Sequence, residues 1–309
     1  MGEASILVVG SANIDLVAQA PRCPKAGESL IGSSFRTVCG GKGANQAVAA
    51  ARLGAATWFA GCVGADAFGE MQRAALSEAG VDVTYLKTDP VEPTGTALIC
   101  VADSGQNSIV VVPSANGGMR PADVEALRPL MAGLDAVVLQ LEIPIETVEA
   151  TLELARSCGV VSILDAGPAQ PIGEDLLRKA DVVSPNETEA EAMTGITVTT
   201  PDDAKEAAAR LVDMGAREAV MKLGRAGALY FGDDCFLEPA FSVTAVDTTA
   251  AGDAFTAALA LHWRTRPHRD AIRFANATGA LATTVAGAQP SMPTREAVDA
   301  FLAQHESTR

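Results

Sequence analysis

Short apolar runs alternate with longer amphipathic stretches along most of the chain. The run Ile6-Leu7-Val8-Val9 ends at Gly10, which is typical of a strand buried on both faces. Similar runs predict strands near 57–63, 136–139, 161–164, 182–183 and 219–222. Helices are predicted to open within 39–47 and run through 53, to follow the turn 64–69 and end at 80, and to lie near 122–131, 145–158, from 186 onward, at 201–214 and in three stretches between 253 and 305. This alternation predicts one α/β domain over residues 1–309, with a mainly parallel sheet covered on both faces.

Two stretches interrupt the alternation. Residues 11–38 begin with alternating polar and apolar positions and continue with prolines and glycines, so they predict short strands and turns. Residues 94–113 contain two predicted strands, 96–101 and 108–112, joined as a hairpin. We expect both stretches to form a small β-sheet lid over the carboxyl edge of the main sheet, where ligands bind in such folds.

The charge balance limits the possible partners. The 309 residues include 23 Lys and Arg against 38 Asp and Glu, a net charge of −15. This balance argues against a nucleic-acid groove or an anionic membrane surface, and any anionic ligand needs local donors. There is no apolar stretch of membrane-spanning length and no basic start in Met1-Gly2-Glu3-Ala4-Ser5, so we expect a cytoplasmic protein.

Cysteines and histidines show no metal-binding pattern. The six cysteines are scattered without a CxxC pair, which favours free or buried thiols over disulfides or zinc. His262, His268 and His305 lack metal-ligand spacing, and we expect them at the surface. With 48% hydrophobic residues, a chain of this length can build its core without such cross-links.

The run from Asp247 to Asp253 precedes a small, apolar, helix-forming stretch, so a helix is predicted to begin at Gly252 or Asp253. A helix start presents unpaired N–H groups, and the small residues Ala251 and Gly252 let an anion approach them. Asp253 beside that site could accept a proton from an attacking hydroxyl, as phosphoryl transfer requires. On these residues alone, an ordinary N-terminal helix charge is the favoured interpretation.

Two polar clusters in the first third of the chain could bind a ligand. The Gly-rich turn around Gly41 and Lys42 suits close approach of a polyhydroxyl compound or a phosphate, although it is not a Walker A loop and could be a simple tight turn. Asn45 at the start of the following helix needs a polar partner. Asn13 and Asp15 lie on one face of a strand and could hold vicinal hydroxyls, or be turn residues.

Three candidates follow predicted strands later in the chain. Glu142 ends a buried strand, where it is either a ligand group or a solvated charge. Asn186 and Glu189 could hold water bound to Mg²⁺, or form an N-cap and its capping-box partner. The turn from Lys222 to Gly227 could contact a nucleotide, with Arg225 exposed, or be a plain hairpin turn.

In their order, these motifs resemble the ribokinase branch of the carbohydrate kinase family that includes adenosine kinase and fructokinase. The segments that carry the resemblance are Gly10-Ser11-Ala12-Asn13-Ile14-Asp15, Gly40-Gly41-Lys42-Gly43-Ala44-Asn45-Gln46-Ala47, Val63-Gly64-Ala65-Asp66-Ala67-Phe68-Gly69, Asn186-Glu187-Thr188-Glu189, Asp247-Thr248-Thr249-Ala250-Ala251-Gly252-Asp253 and Gly287-Ala288-Gln289-Pro290-Ser291.

The resemblance implies ATP-dependent phosphorylation of D-ribose at O5, giving D-ribose 5-phosphate and ADP, with Mg²⁺ required and K⁺ as activator. It implies a Rossmann-like three-layer α/β/α core with a β-sheet lid that also joins two copies in a homodimer. The alternatives are a related kinase for deoxyribose, fructose or adenosine, and a catalytically silent sugar-binding regulator. Intact Asp253 and its anion hole argue against the regulator. An oxidoreductase is disfavoured because residues 10–13 do not begin a GxGxxG motif.

The resemblance also implies roles for individual residues. Asp253 would be the catalytic base, beside an anion hole formed by Ala250, Ala251 and Gly252. The sugar would contact Asn13, Asp15, Gly41, Lys42, Gly43, Asn45, Glu142 and Asp253. The nucleotide would contact Asn186, Lys222, Gly224, Arg225, Gly227, Gly252 and Asn276. The K⁺ ligands would come from Asp247, Thr249, Ala282, Val285, Gly287 and Ser291, and Asn186 and Glu189 would hold Mg²⁺ through water.

Overall fold

The first strand, β1 (Ser5–Val9), lies inside a large sheet in the computed structural model, which describes residues 4–306. Its residues alternate between the two faces of the sheet, and Ile6 to Val9 are fully buried. Ile6 and Val8 pack into one hydrophobic layer, and Leu7 and Val9 pack into the other. The apolar run that predicted a strand buried on both faces is therefore confirmed.

The remaining strands extend this sheet and form a second one. Their bounds are β2 Asn13–Ala20, β3 Ser34–Gly40, β4 Ala56–Gly64, β5 Asp82–Asp89, β6 Gly95–Ala102, β7 Asn107–Val112, β8 Ala136–Leu139, β9 Val161–Asp165, β10 Val182–Ser184, β11 Glu218–Lys222, β12 Ala228–Phe231 and β13 Cys235–Glu238. Within the described residues, the large sheet has the order β13-β12-β11-β10-β9-β8-β1-β4-β5. It is parallel apart from β12 and β13, as predicted.

Helices cover both faces of the large sheet. Their bounds are α1 Lys42–Arg52, α2 Ala67–Glu78, α3 Pro121–Glu125, α4 Arg128–Met131, α5 Ile145–Cys158, α6 Glu174–Leu177, α7 Glu187–Thr194, α8 Pro201–Asp213, α9 Ala251–His262, α10 His268–Ala282 and α11 Arg295–Glu306. The layer that contains Ile6 is built against α1, α9 and α10, and the layer that contains Leu7 is built against α5 and α8. This is the three-layer α/β/α arrangement that the resemblance implied.

The small sheet has the order β3-β2-β6-β7. Its strands come from the two stretches that interrupt the α/β alternation, and the predicted hairpin is formed by β6 and β7. Since β2 begins just after β1 ends, the small sheet grows out of the carboxyl edge of the large one. One face bears Asp15, Ala97 and Val111, which are aligned across the strands.

Three local predictions were wrong. The helix predicted at 122–131 is split into α3 and α4, because Pro129 has no N–H to donate to Glu125. Strand β5 was missed, since its exposed edge position leaves a weak apolar pattern. His262 was expected at the surface but is 7% exposed and packs edge-on against Phe274.

All six cysteines lie within the described residues and are free thiols. No helix formed by residues 4–306 is both long enough and apolar enough to cross a lipid bilayer.

Candidate active site

The predicted site residues meet at the carboxyl edge of the large sheet. Asp165 ends β9, Lys222 ends β11, and Glu142 follows β8. Parallel strands present their carboxyl ends at one edge, so these groups from distant parts of the chain lie side by side. The helix α9 starts at the same edge and brings Asp253 into its first turn.

The Asp253 side chain is held by donors from α1. It is 4% exposed; Asn45 Nδ2 donates to its Oδ2 at 2.9 Å and Gln46 Nε2 to its Oδ1 at 3.0 Å. Lys42 Nζ lies 4.0 Å from Oδ1. Burial raises the pKa of Asp253 to about 6, while Lys42 acts to lower it. The carboxylate is thus ionised at neutral pH but is more basic than an ordinary aspartate, which suits a proton acceptor.

The start of α9 has an open, uncapped geometry. Ala250, at the N-cap, has a left-handed backbone with φ 59° and carries no polar side chain that could satisfy the first-turn N–H groups. A Cβ placed on Gly252 would lie 3.8 Å from Lys222 Nζ, so the space beside Gly252 faces an ammonium group. The Ala251 N–H donates to the carbonyl of Thr248 at 3.3 Å, so the N–H groups of Gly252 and Asp253, the positive end of the helix dipole and the Lys222 ammonium group together form an anion-binding position.

Asn13, Asp15 and Glu142 lie on the lid side of Asp253. Asn13 Oδ1 accepts a hydrogen bond from Asn116 Nδ2 at 2.6 Å. Glu142 Oε2 accepts from the backbone N–H of Lys42 at 3.1 Å and from the Ser11 hydroxyl. Burial, followed by the negative charges of Glu142 and Asp253, raises the pKa of Asp15 to about 7.

The glycines of the first Gly-rich turn serve close backbone contact. Gly41 has φ +88°, and a Cβ there would lie 2.6 Å from the backbone nitrogen of Asn13. A Cβ on Gly43 would lie 2.7 Å from the backbone nitrogen of Ser11. These contacts fix α1 against the segment that leads into β2, and so place Lys42 and Asn45 opposite Asp15.

The predicted nucleotide residues line a cavity of about 700 Å³ on the other side of Asp253. The cavity is also lined by Lys42 and by small or apolar residues of the segment 240–251. Its predicted members are Asn186, Lys222, Gly224, Arg225, Gly227, Gly252 and Asn276. Arg225 is exposed, as expected, and Asn276 Nδ2 donates to the carbonyl of Glu238 at 3.0 Å.

Two lysines lie among the carboxylates at the floor of the site. Lys222 Nζ lies 2.9 Å from Asp165 Oδ1 and 3.7 Å from Glu189 Oε2, and Lys42 Nζ lies 4.0 Å from Glu189. Burial acts to raise the pKa of Asp165, but Lys222 and Lys42 outweigh it and lower that pKa. Burial acts to lower the pKa of Lys42, but Asp165, Asp253 and Glu189 raise it. The Lys42 ammonium group is therefore charged at neutral pH.

The pair Asn186 and Glu189 forms the capping box that the sequence left as an alternative. The Asn186 side chain accepts from the Glu189 N–H, and Glu189 Oε2 accepts from the Asn186 N–H, each at 2.8 Å. The same Glu189 carboxylate lies beside both site lysines, so capping fixes it at the edge of the cavity. The capping box and a role in holding water bound to Mg²⁺ are therefore compatible with the same side-chain positions.

The segments expected to hold K⁺ meet beside the start of α9. Asp247 Oδ2 accepts from the Gly287 N–H at 2.9 Å, and Asp247 Oδ1 accepts from the Thr249 hydroxyl at 2.7 Å. Ala282 ends α10, Val285 is half-exposed, and the Ser291 hydroxyl donates to the carbonyl of Ala288 at 2.7 Å. The structure therefore brings Asp247 to the 283–287 turn, and the predicted donors are all oxygens.

Two groups at the centre of the site were not among the predicted residues. Gln46 was part of the Gly-rich motif without a role, and Asp165 was not singled out. Asp165 carries the signal that identified Glu142, a carboxylate at the carboxyl end of a buried strand. Gln46 gave no comparable signal, because its importance depends on partners 119 and 207 residues away.

Comparisons with known proteins agree with this geometry. A family model described as pfkB family carbohydrate kinase matches residues 3–295. A ribokinase of Haemophilus influenzae is 39% identical over 301 residues, which cover 96% of this chain and 98% of the relative. A deoxyribokinase of Salmonella typhi is 36% identical over 304 residues, covering 97% and 99%. The structure of Arabidopsis thaliana ribokinase complexed with ribose and ATP superimposes with a TM-score of 0.90 at 36% identity, covering 97% of this chain and 99% of that one.

Proposed function

The chain belongs to the pfkB family of carbohydrate kinases, and from this premise we propose that it transfers the γ-phosphoryl group of ATP to O5 of D-ribose, giving D-ribose 5-phosphate and ADP. The relatives named ribokinase, and the Arabidopsis structure that holds ribose and ATP, support this substrate pair. The observation that carries the proposal is the place of Asp253, between polar groups of the lid side and the uncapped start of α9.

The proposed chemistry uses Asp253 as general base. The sugar O5–H bond breaks as the proton passes to the Asp253 carboxylate, O5 bonds to the γ-phosphorus, and the bond from that phosphorus to the bridging oxygen of ADP breaks. The first-turn N–H groups of α9 stabilise the charge on the phosphoryl oxygens in transit. Lys42 and Lys222 add positive charge to a cleft in a chain of net charge −15.

We assign the sugar to the lid side of Asp253. Carboxylates and amides accept and donate hydrogen bonds to vicinal hydroxyls, and Asn13, Asp15 and Glu142 offer such groups around Lys42. Hydrogen bonds to neighbouring groups already hold Asn13 and Glu142, so little side-chain entropy is lost on binding. Contact of the small sheet with the sugar would exclude water, which limits hydrolysis of ATP.

Oxygen donors at the cavity edge fit a divalent cation. The Glu189 carboxylate is fixed by its capping contacts beside the cavity, and with Asn186 it could hold the water shell that Mg²⁺ retains. When bound, Mg²⁺ neutralises charge on the phosphates. We assign this role to Asn186 and Glu189 because carboxylate, amide and water oxygens are the ligands that this ion prefers.

We also assign a K⁺ site to Asp247, Thr249 and the carbonyls of the 282–291 segment. The donor set consists of a carboxylate, a hydroxyl and carbonyls, and oxygen ligands of this kind suit K⁺. A cation there would fix the loop that precedes α9 and add positive charge near it. We expect K⁺ to raise the rate of ADP formation above that in Na⁺ at equal ionic strength. Identical rates in the two salts would contradict the assignment.

The outer face of the small sheet suits a second copy of the chain. Phe35, Leu98 and Val110 share the face opposite Asp15 and are 66%, 49% and 60% exposed. Burying such side chains against an identical face would remove apolar surface from water. We therefore propose a homodimer through the small sheets. Sedimentation velocity of Val110→Glu should show the monomer where the unmodified chain shows the dimer; a monomeric unmodified chain would refute the proposal.

The test of function is a coupled ADP-release assay with ribose, 2-deoxyribose, fructose and adenosine. We expect the highest kcat/KM with ribose and product phosphorylated at O5, and we place this reaction in the cytoplasm because ATP is its donor. The second candidate is a deoxyribose kinase, favoured by the similarity to the Salmonella enzyme. Higher kcat/KM with 2-deoxyribose would select that candidate, and no sugar-dependent ADP release would reject both.

A further inference from the structure

The Gln46 side chain joins two buried carboxylates that belong to different parts of the fold. Its Nε2 donates to Asp253 Oδ1 at 3.0 Å and to Asp165 Oδ2 at 2.8 Å. An amide nitrogen has two hydrogens, so both are used on carboxylates. Gln46 is fully buried, Asp165 is fully buried and Asp253 is 4% exposed, so water does not compete with these bonds.

A second glutamine fixes the orientation of this amide. Gln140 Nε2 donates to Gln46 Oε1, and Gln140 is also fully buried. With its oxygen bound to Gln140, Gln46 can present only its nitrogen to the two acids. The reverse orientation would direct a carbonyl oxygen at two carboxylates and leave buried groups unpaired.

We propose that Gln46 is a positioning residue of the phosphoryl transfer, whose amide keeps the Asp253 carboxylate ionised and oriented toward the sugar hydroxyl while Asp165 anchors the amide from the other side. This inference rests on the proposed function, because it assigns Gln46 through the base role of Asp253. The physical reason is that a hydrogen bond donated to the ionised form of an acid favours that form, and more so in a dry site.

The surrounding charges do not make this contact redundant. Lys42 from α1 faces Asp253 at 4.0 Å, while Asp165 and Asp15 face it with negative charge. Glu142, Glu189 and Lys222 lie one contact further out, against Lys42 or Asp165. The single ammonium group is shared among several carboxylates, so Asp253 depends on its two neutral amide donors, Asn45 and Gln46, to remain ionised near neutral pH.

The test compares kcat–pH profiles at saturating ribose, ATP and Mg²⁺, because kcat reports groups in the substrate complex. For Gln46→Met, which keeps the size but has no donor, the acid limb should move up by about one to two pH units. At pH 6.5, half a unit above the pKa of about 6, that shift lowers kcat about 3- to 25-fold, and at pH 9 kcat should return to within about threefold. KM for ATP should change less than about twofold, because the nucleotide side is untouched.

A second variant covers the case in which Gln46→Met fails to fold. Gln46→Glu keeps the shape and the acceptor for Gln140, and it places a third carboxyl group beside Asp253, so its acid limb should also move to higher pH. Thr256→Val is the matched control: it removes a contact to Asp165 at 3.3 Å and leaves Asp253 untouched. Its acid limb should stay within about 0.3 pH unit of the unmodified enzyme.

An unchanged acid limb in the Gln46 variants, with kcat equally reduced or unaffected at every pH, would overturn the proposal. If the unmodified enzyme itself releases no ADP with any sugar, the proposed function fails instead. The titration of the Asp253 carboxyl carbon, followed by ¹³C NMR in the unmodified chain and in Gln46→Met or Gln46→Glu, then tests the Gln46 contact without activity. The same midpoint in both chains would refute it.

Discussion

The two sides of the cleft are built in different ways. On the sugar side, side chains distant in sequence bond directly to one another: Asn45 reaches Asp253 across 208 positions, and Ser11 reaches Glu142 across 131. On the nucleotide side, the cavity is lined largely by small and apolar residues, and Lys222 and Glu189 hold fixed charges at its edge. We therefore expect a pre-formed hydrogen-bond network to bind the sugar, and the shape of the cavity to bind the nucleotide. Single substitutions should do more damage on the sugar side.

The largest effect is expected at the junction of the two sides. Asp253→Asn keeps the size of the side chain but removes its ability to take a proton. We expect kcat to fall about 10³-fold, within the range for loss of a general base, while ribose affinity by calorimetry changes only a few-fold. Near-normal turnover would refute the assignment of Asp253 as the general base.

On the nucleotide side, where we expect most substitutions to be tolerated, substitution of Lys222 should be costly. Lys222→Met leaves the buried Asp165 without its partner at 2.9 Å, so we expect a loss of about 3 kcal/mol in the free energy of unfolding and a raised KM for ATP. Arg225→Ala is the control in the same turn: Arg225 is exposed, so denaturant unfolding should differ by less than about 0.5 kcal/mol. Equal losses in the two variants would contradict this.

On the sugar side, Gly41→Ala tests whether close backbone contact matters. A Cβ 2.6 Å from the Asn13 nitrogen forces α1 away from β2, so KM for ribose should rise about tenfold, a cost near 1.4 kcal/mol, with KM for ATP within about twofold. Gly54→Ala is the control: it has a similar φ of +86°, yet within residues 4–306 no heavy atom beyond Gly54 and its two chain neighbours lies within 4 Å of a Cβ placed there. An unchanged KM for ribose in Gly41→Ala would show that this close backbone contact does not affect ribose binding.

The last prediction separates the two sides by pH. Asp15 has a pKa of about 7, so lowering the pH from 8 to 6 protonates it and removes a hydrogen-bond acceptor from the sugar side. KM for ribose should therefore rise about tenfold over this range, while KM for ATP changes much less. Asp15→Asn should abolish this pH dependence of the ribose KM. If both substrates responded equally, titration of Asp15 would not explain the effect.

How much the sequence could predict depends on whether the signal is local. The helix Ile145–Cys158 was predicted to its exact bounds because its periodicity is undisturbed. Strand β1 was predicted over Ile6 to Val9, one residue short of its start at Ser5, because that run is wholly apolar. Strand β5 lies at an exposed edge, and His262 is buried only because α10 packs over it, so neither could be predicted from neighbours in sequence.

The same distinction holds in the site. The Asp253 motif and the Gly41 turn are contiguous, so their chemistry could be inferred from residue order. The amide of Gln46 acquires its two carboxylate partners only when α1, β9 and α9 meet. Short motifs therefore predicted the groups that we propose to contact the substrates, whereas the groups that we propose to orient them required coordinates.

The uncapped start of α9 has a consequence for engineering. An N-cap without a hydroxyl or carboxylate forgoes about 1 kcal/mol, and the left-handed backbone of Ala250 adds a further cost. A polar side chain at that position would satisfy the N–H groups internally and so compete with the incoming phosphate. Selection for thermal stability alone would thus favour capping residues at position 250, and the more stable protein that resulted would be a poorer catalyst.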